Sequence, residues 1–242
     1  MKKTTLLLAL LLVSFCFTLT AQTSETPAQP SEPVVKNEDR PEIIRDRLVV
    51  DVFHSFWLGA PEQINTNKFH PGFNLSLMWD FKQNKKGPIS FGLGLGVTYH
   101  SQFSDAKLRY NITDDVTRYS VLPLVKDSIK FNRMDYISCN IPIEFRYRNQ
   151  KNGFKFTIGA RVGLIAEISQ TYKGVNPDVA GNQIKVKSFE KENKQPFNFD
   201  AYMRMGWKNV SFYYSYQVTK LYQKDKGPQM NPMSIGVTWN IF

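Results

Sequence analysis

The chain has 242 residues, a formal net charge of +10, and contains 42% hydrophobic and 14% aromatic residues. This length suits one domain with short appendages rather than two full domains. A basic protein often binds nucleic acid, but Lys and Arg are spread here over turns and loops instead of forming one stripe, which argues against that partner. A negative mean hydropathy combined with many aromatic residues is typical of strands that alternate lipid-facing and water-facing positions.

Residues 1–21 have the pattern of a secretory signal peptide. Lys2 and Lys3 precede an apolar run that ends near Leu19, and Ala21 provides a small residue for cleavage. A short positive head followed by an apolar core too short to span a bilayer is the pattern of a Sec-type export signal. We therefore expect export, with cleavage after Ala21.

The exported part of the chain has the composition of a membrane barrel preceded by a tail. Residues 22–45 are polar and rich in proline, which predicts a flexible periplasmic tail, either a plain spacer or a peptide that docks onto a partner. Cys139 would be the only cysteine, so no internal disulfide is expected. No later segment has the roughly 20 consecutive apolar residues of a membrane helix, so the remaining chain is either soluble or spans a membrane as strands.

The dominant period from there on is two, which predicts β-strands. The first strand, Leu48 to Leu58, is the least regular, because Asp51 lies on one of its faces and His54 on the other. Seven further segments alternate large apolar with small or polar residues: Phe73–Phe81, Ile89–His100, Ile137–Tyr147, Phe154–Leu164, Phe197–Trp207, Val210–Val218 and Met233–Ile241. The sequence thus predicts an all-β fold of eight antiparallel strands over residues 46–242.

The connections between these strands alternate in length. Short turns rich in Asn, Gly and Lys follow the second, fourth and sixth strands, whereas long loops follow the first, third and fifth, and a shorter loop around Lys226 follows the seventh. Long extracellular loops and short periplasmic turns are typical of a transmembrane β-barrel of the outer membrane. A soluble lipocalin-like barrel is the alternative, but its interior would have to hold more bulk than eight strands enclose.

Several charged residues fall on the parity of the barrel lumen. An eight-stranded barrel is narrow enough for such side chains to fill it, and because both signs are present we expect them to pair across the interior. We interpret them as a structural polar network that closes the barrel, with a proton or ion path as the alternative. The residues are Asp80, Glu144, Arg146, Arg161, Glu167, Asp200 and Arg204.

The sequence offers no catalytic, cofactor-binding or metal-binding residues that we would assign. His54, His70 and His100 lie near the outer ends of the first three strands, with Ser101 and Asp105 close to His100, as in some small lipid-modifying enzymes. Their parity argues against a cluster, since His54 is expected to face lipid and the other two the lumen. No metal-binding spacing such as His-Glu-x-x-His occurs.

Aromatic residues and loops indicate where the protein meets its surroundings. Aromatic residues at strand ends are predicted to form two interfacial girdles. The loops 102–134 and 170–196 are rich in basic and aromatic residues, which suggests contact with a protein partner or with lipopolysaccharide phosphates; loops that are merely solvated are the alternative. The predicted girdle residues are Trp57, Trp79, Tyr99, Trp207 and Trp239.

The alternation from Phe73 onward, the stretch Asn140–Arg146 and the terminal stretch Gly236–Phe242 resemble a known family. They are similar to the outer-membrane β-barrel proteins of Bacteroidetes called porin-family or PorT-like proteins. The resemblance implies location in the outer membrane, outer-membrane lipid as surroundings, and, as in some members, a link to the type IX protein secretion system. The resulting hypothesis is a non-enzymatic interaction or accessory protein without a cofactor; a small porin, a surface adhesin and a lipid-modifying enzyme are the alternatives.

Overall fold

The computed structural model describes most of the chain after residue 42. The predicted signal peptide and nearly all of the predicted tail lie outside the described residues. The described residues are 43–60, 68–81, 87–111, 113–121, 129–149, 151–175, 182–190, 193–227 and 229–241.

The described residues contain eleven strands, and all of their ladder pairings are antiparallel. No helix in this part of the chain is long and apolar enough to cross a membrane. In chain order the strands are β1 (Ile43–Leu58), β2 (Pro71–Phe81), β3 (Ile89–Phe103), β4 (Ala106–Asn111), β5 (Val116–Val121), β6 (Ile129–Arg148), β7 (Phe154–Val175), β8 (Gln183–Glu190), β9 (Phe197–Trp207), β10 (Val210–Gln217) and β11 (Asn231–Asn240).

Eight of these strands close into a ring. The order of hydrogen-bonded neighbours is β6, β3, β2, β1, β11, β10, β9 and β7, and a further pairing of β6 with β7 completes the circle. Strand β8 pairs with the distal half of β7, and β4 pairs with β5 as a separate hairpin. The ring strands are the eight predicted from sequence, so the expected eight-stranded antiparallel barrel is confirmed.

The alternation predicted from sequence separates an inner from an outer surface. On β2, Asn74 and Ser76 are buried inside the ring, whereas Leu75 and Leu77 on the outside are 44% and 50% exposed. The same pattern runs along β3, β9 and the apolar part of β6. Apolar outside and polar inside is the reverse of a soluble barrel, so the lipocalin-like alternative is wrong.

The two ends of the ring differ as expected. At one end β9 and β10 are joined by Lys208 and Asn209, and Lys208 has a φ of 49°. At the same end the Asn149 amide donates to the Phe154 carbonyl at 2.8 Å, which closes the turn between β6 and β7. All long connections leave the opposite end. The short turns therefore mark the periplasmic side and the long loops the extracellular side.

Parts of the predicted long loops are strands. Strand β6 begins at Ile129 and β7 continues to Val175, so this pair extends well beyond the apolar belt, and the β4–β5 hairpin and β8 also lie within predicted loops. Strand β1 likewise begins at Ile43, inside the predicted tail. The sequence pattern misses the extensions of β6 and β7 because burial there no longer alternates with period two. Met134, Asp135 and Tyr136 are all buried on β6, and so is every residue from 168 to 172 on β7.

We predict that Gly236→Ala destabilises the barrel by about 1–3 kcal/mol, the usual cost of overpacking. A Cβ at position 236 would lie 2.1 Å from the carbonyl oxygen of Val52 and 2.6 Å from Cα of Phe53, both backbone atoms of the neighbouring strand β1. The measurement is urea unfolding of the protein in lipid vesicles. Gly92→Ala is the control, because its nearest atom is in a side chain, the guanidinium carbon of Arg146 at 3.2 Å, which needs to shift by only a few tenths of an ångström. Equal loss in both variants would contradict the prediction.

Candidate functional site

The centre of the lumen is organised around Asp51, a carboxylate with no measurable exposure. Arg204 binds it in a bidentate manner, with Nε 2.9 Å from Oδ1 and Nη2 2.7 Å from Oδ2. Asn74 donates to Oδ2 at 2.8 Å and the Thr238 hydroxyl to Oδ1 at 2.6 Å. These donors come from β9, β2 and β11, so one buried carboxylate on β1 links both neighbouring strands and a strand across the barrel.

A second carboxylate, Glu144 on β6, extends this network towards the periplasmic end. Its Oε1 accepts hydrogen bonds from Arg204 and, at 2.6 Å, from the hydroxyl of Tyr202, and its Oε2 accepts from Arg146. Arg146 also pairs with Asp80, an aspartate on β2. Charge-assisted bonds of this kind are the strongest hydrogen bonds in proteins, and here they bridge the lumen from wall to wall.

A third group of charges lies around Arg161 on β7. Its guanidinium is 3.5 Å from Asp200, donates to the hydroxyl of Tyr213, and stacks over the ring of Tyr202 at 4.7 Å. Arg204 stacks over the same Tyr202 ring at 4.6 Å. The Tyr213 ring is 5.7 Å from the Arg161 guanidinium and 5.6 Å from that of Arg204, so both tyrosines stabilise both cations by cation–π contact.

The structure brings six of the seven sequence-predicted lumen residues into one connected region: Asp80, Glu144, Arg146, Arg161, Asp200 and Arg204. Three further members were missed, namely Asp51, Tyr202 and Tyr213. All three lie on the inward parity of their strands, and this parity was the available signal. The irregular pattern of β1 obscured it for Asp51, and the two tyrosines were missed because only charged residues were sought on that parity.

The predicted lumen position of Glu167 is wrong. Its side chain is 49% exposed on the outside of the barrel, 3.9 Å from Lys187 of β8. The register of β6 against β7 shifts by one residue at this point, since Ile137 pairs with Glu167 but Ser138 pairs with Ile165. This β-bulge inserts one residue and reverses the facing of every later side chain on β7.

An apolar cluster lies in the extracellular half of the lumen. The final loop folds inwards, so that Leu221 and Met230 are fully buried and Tyr222 is 1% exposed. They pack against inward-facing residues of β1, β6 and β7: Trp57, Met134, Tyr136, Ile165 and Ile168. The expected girdle position of Trp57 is therefore wrong, because its indole belongs to this internal cluster.

The long loops bind to one another above this cluster. The Gln195 amide donates to the Leu221 carbonyl at 2.8 Å, and Lys194 forms an isolated β-bridge with Tyr222. The ammonium group of Lys194 also donates to the carbonyls of Ile165 and Ala166 at 3.1 and 3.0 Å. Those carbonyls belong to the β-bulge, so the bulge provides the attachment point for the loops that cover the barrel.

The three histidines do not form a shared site. His100 faces the lumen, where its Nδ1 is 3.1 Å from the Ser55 hydroxyl and its ring stacks on Tyr136 at 4.3 Å. His54 faces outward and stacks on Phe69, and its Nδ1 accepts from the backbone amide of His70 at 2.8 Å. Within the described ranges no three His, Cys, Asp or Glu side chains are placed to hold a metal ion.

Comparisons with known proteins give a weak structural likeness. No protein-family model matches the sequence, and no curated protein shows a significant sequence match. Neisserial surface protein A (NspA) aligns with a TM-score of 0.40 and 10% identity, covering 82% of this chain and 97% of its own. Ail, the attachment invasion locus protein of Yersinia pestis, aligns with 0.39 and 12%, covering 81% and 98%.

The N-terminal β-barrel domain of Pseudomonas aeruginosa OprF aligns with a TM-score of 0.36 and 10% identity over 81% of this chain and 98% of that domain. The chain's own strand pairing shows its architecture. A closed ring of eight antiparallel strands with an apolar exterior and a polar interior defines a transmembrane β-barrel of the outer-membrane type.

We predict that Arg204→Met destabilises the barrel by about 3–5 kcal/mol, because it leaves Asp51 without its cation and weakens the pairing of Glu144, both of them buried charges. The measurement is urea unfolding in lipid vesicles. Lys187→Met is the matched control: it removes the exposed ion pair with Glu167 and should cost no more than about 1 kcal/mol. Similar losses in the two variants would mean that the lumen network does not hold the ring together.

Proposed function

We propose that this protein is a closed, non-enzymatic barrel of the outer membrane that acts as a membrane-anchored interaction or accessory protein. The observation that carries the proposal is the filling of the lumen at two levels. Paired charges around Asp51 and Glu144 occupy the periplasmic half, and the cluster around Leu221 and Tyr222 occupies the extracellular half. A barrel filled in this way serves as an anchor for what lies outside it.

The filled lumen favours an anchor over a small porin. Ion flow would require rearrangement of the Arg204–Asp51 pair and displacement of the apolar cluster. The buried Ser55–His100 contact lies beside that cluster, where the His100 ring stacks on Tyr136, and it faces away from lipid, which argues against a lipid-modifying enzyme.

We predict that the purified protein produces no reproducible channels in planar lipid bilayers, because the paired charges and the apolar cluster lie inside the lumen, where an ion would have to pass. Single-channel recording at both voltage polarities is the measurement, with a known porin of comparable preparation as the positive control. Reproducible openings of nanosiemens size would favour the porin and reject the anchor.

The extracellular segments provide the surface for a partner. The β4–β5 hairpin pairs only within itself in the described sheets, so it projects from the ring as a separate element. Its turn is attached to the other loops, since Asp115 pairs with Lys226 and its carbonyl accepts from Asn193 at 2.9 Å. A hairpin held in place at its turn is preorganised, which lowers the entropic cost of binding a partner.

The partner class that we propose is a protein of the outer membrane or periplasm with a role in protein secretion. An outer-membrane partner could contact the extracellular hairpin, whereas a periplasmic partner would have to bind the opposite end of the barrel. This role comes from the resemblance of Asn140–Arg146 and Gly236–Phe242 to PorT-like proteins, some of which are linked to type IX secretion. The hairpin as interaction surface is inferred from its pairing and contacts instead. The secretion role and the binding surface can therefore be tested separately.

We predict that excision of residues 106–121 abolishes partner recovery. Ala106 and Val121 are directly paired, so the flanking chain ends lie close together and a short Gly-Ser link can join them without disturbing the ring. The measurement is affinity purification of the full chain from its own outer membranes in mild detergent after brief crosslinking.

Lys220→Met is the matched control for the excision, because it changes an exposed lysine of the last loop and keeps both the hairpin and its contact with Lys226. The proposal expects recovery of the same proteins with this variant and with the unaltered chain. Recovery of the barrel with lipid alone would contradict the accessory role and favour an adhesin. Recovery of partners that are unrelated to secretion would reject only the secretion role.

A further inference from the structure

The outward face of the β6–β7–β8 wall has an unusual charge pattern just beyond the apolar belt. On β6 the lipid-facing apolar residues end at Ile137, and on β7 they end at Leu164. Beyond that level the wall continues through the pairing of β6 with β7 and of β7 with β8. This part of the wall therefore rises directly out of the lipid-facing surface into the headgroup layer.

Two rows of residues on this face are basic. In the lower row Arg133, Thr171 and Lys187 lie side by side on the three strands, and in the next row outward Phe131, Lys173 and Lys185 do the same. Strand register places these residues on one face, because directly paired residues point the same way. We call the four cations of these rows, Arg133, Lys173, Lys185 and Lys187, the basic wall.

The upper pair of the basic wall is electrostatically unfavourable by itself. Lys173 and Lys185 are directly opposite each other on antiparallel strands and both are exposed. Their Cβ atoms are about 5 Å apart in such a pair, and like charges directly opposite destabilise a sheet. Among the described residues no carboxylate forms an ion pair with either lysine, so an anion from outside the chain would relieve the repulsion.

The lower pair is only partly compensated. Arg133 is 2.8 Å from Asp135, and Lys187 is 3.9 Å from Glu167, an exposed pair of little strength. Aromatic rings accompany both cations, since Arg133 lies over Phe131 at 4.9 Å and Lys187 over Phe189 at 4.7 Å. Such a surface can bind an amphiphilic molecule, because the cations attract its anionic group and the aromatic rings contact the apolar or sugar groups next to it.

We infer that the basic wall binds the phosphate groups of a phosphorylated glycolipid in the outer leaflet, with Lys173 and Lys185 sharing one anionic group. Continuity with the lipid-facing belt favours a lipid over an acidic protein, because the wall begins where the acyl chains end. The long Lys and Arg side chains of the wall can also extend along its surface, so that their charged groups reach the lipid headgroups. The site goes beyond the proposed function and needs no protein partner.

The test uses the full chain in detergent with rough-type lipopolysaccharide, either with its phosphates intact or after dephosphorylation. Native mass spectrometry measures the lipid retained over a concentration series. We predict that Lys173→Gln/Lys185→Gln binds the phosphorylated lipid about 30-fold more weakly than the unaltered chain, the loss expected for two lysine–headgroup attractions. Dephosphorylated lipid should bind both proteins equally weakly.

Lys220→Gln/Lys224→Gln is the matched control, since it removes the same charge from exposed lysines of the last loop. Urea unfolding shows that each variant is folded, and loss of the Lys173–Lys185 repulsion should leave the stability unchanged or higher. Equal weakening by both double variants would overturn the site in favour of general charge attraction. If binding did not depend on the phosphates, the basic wall would not be a glycolipid site, and an acidic protein segment would become the favoured ligand.

Discussion

In hydrocarbon every backbone amide and carbonyl must find its partner within the protein, and this constraint governs the structure. The β6–β7 pairing satisfies it, because without this pairing both strands would present open edges to lipid. Closure by only eight strands leaves a narrow interior. Any charged side chain on the inner face is then removed from water, and only a nearby opposite charge can offset the cost of this desolvation.

The lumen network follows from that confinement. Asp51 and Glu144 share Arg204, while Arg161 and Arg204 share the ring of Tyr202. The attraction within a buried ion pair is largely offset by the cost of removing its charges from water, but loss of one partner leaves an uncompensated charge and is costly. The network therefore fixes which strands face one another across the barrel, and in doing so it fills the space that a channel would require.

With the interior filled, the surfaces available for function lie outside the ring. The bulge at Ala166 affects both the loops that cover the lumen and the outer surface of the wall. The carbonyls of Ile165 and Ala166 accept hydrogen bonds from Lys194 of the covering loops. The inserted residue also turns Glu167 and Lys173 outward. The same irregularity thus supports the loop cover of the lumen and the basic wall. The hairpin and the basic wall rise from neighbouring parts of the sheet, so a protein partner and an outer-leaflet lipid could be held at the same time.

The sequence by itself determined the barrel. Alternation of apolar and polar residues marks strands with one face towards lipid, and alternation of long and short connections marks the two ends of the barrel. Eight strands and most of the lumen charges could therefore be predicted. It could not place Glu167, since a single inserted residue reverses the parity on which the prediction relied. Nor could it place Trp57, Leu221 and Tyr222 in one cluster, because a polar loop folding back into a barrel leaves no periodic signal. Tertiary structure alone decided these positions, since contacts between distant segments, not local hydrophobicity, determine what covers the lumen and which cations share a face.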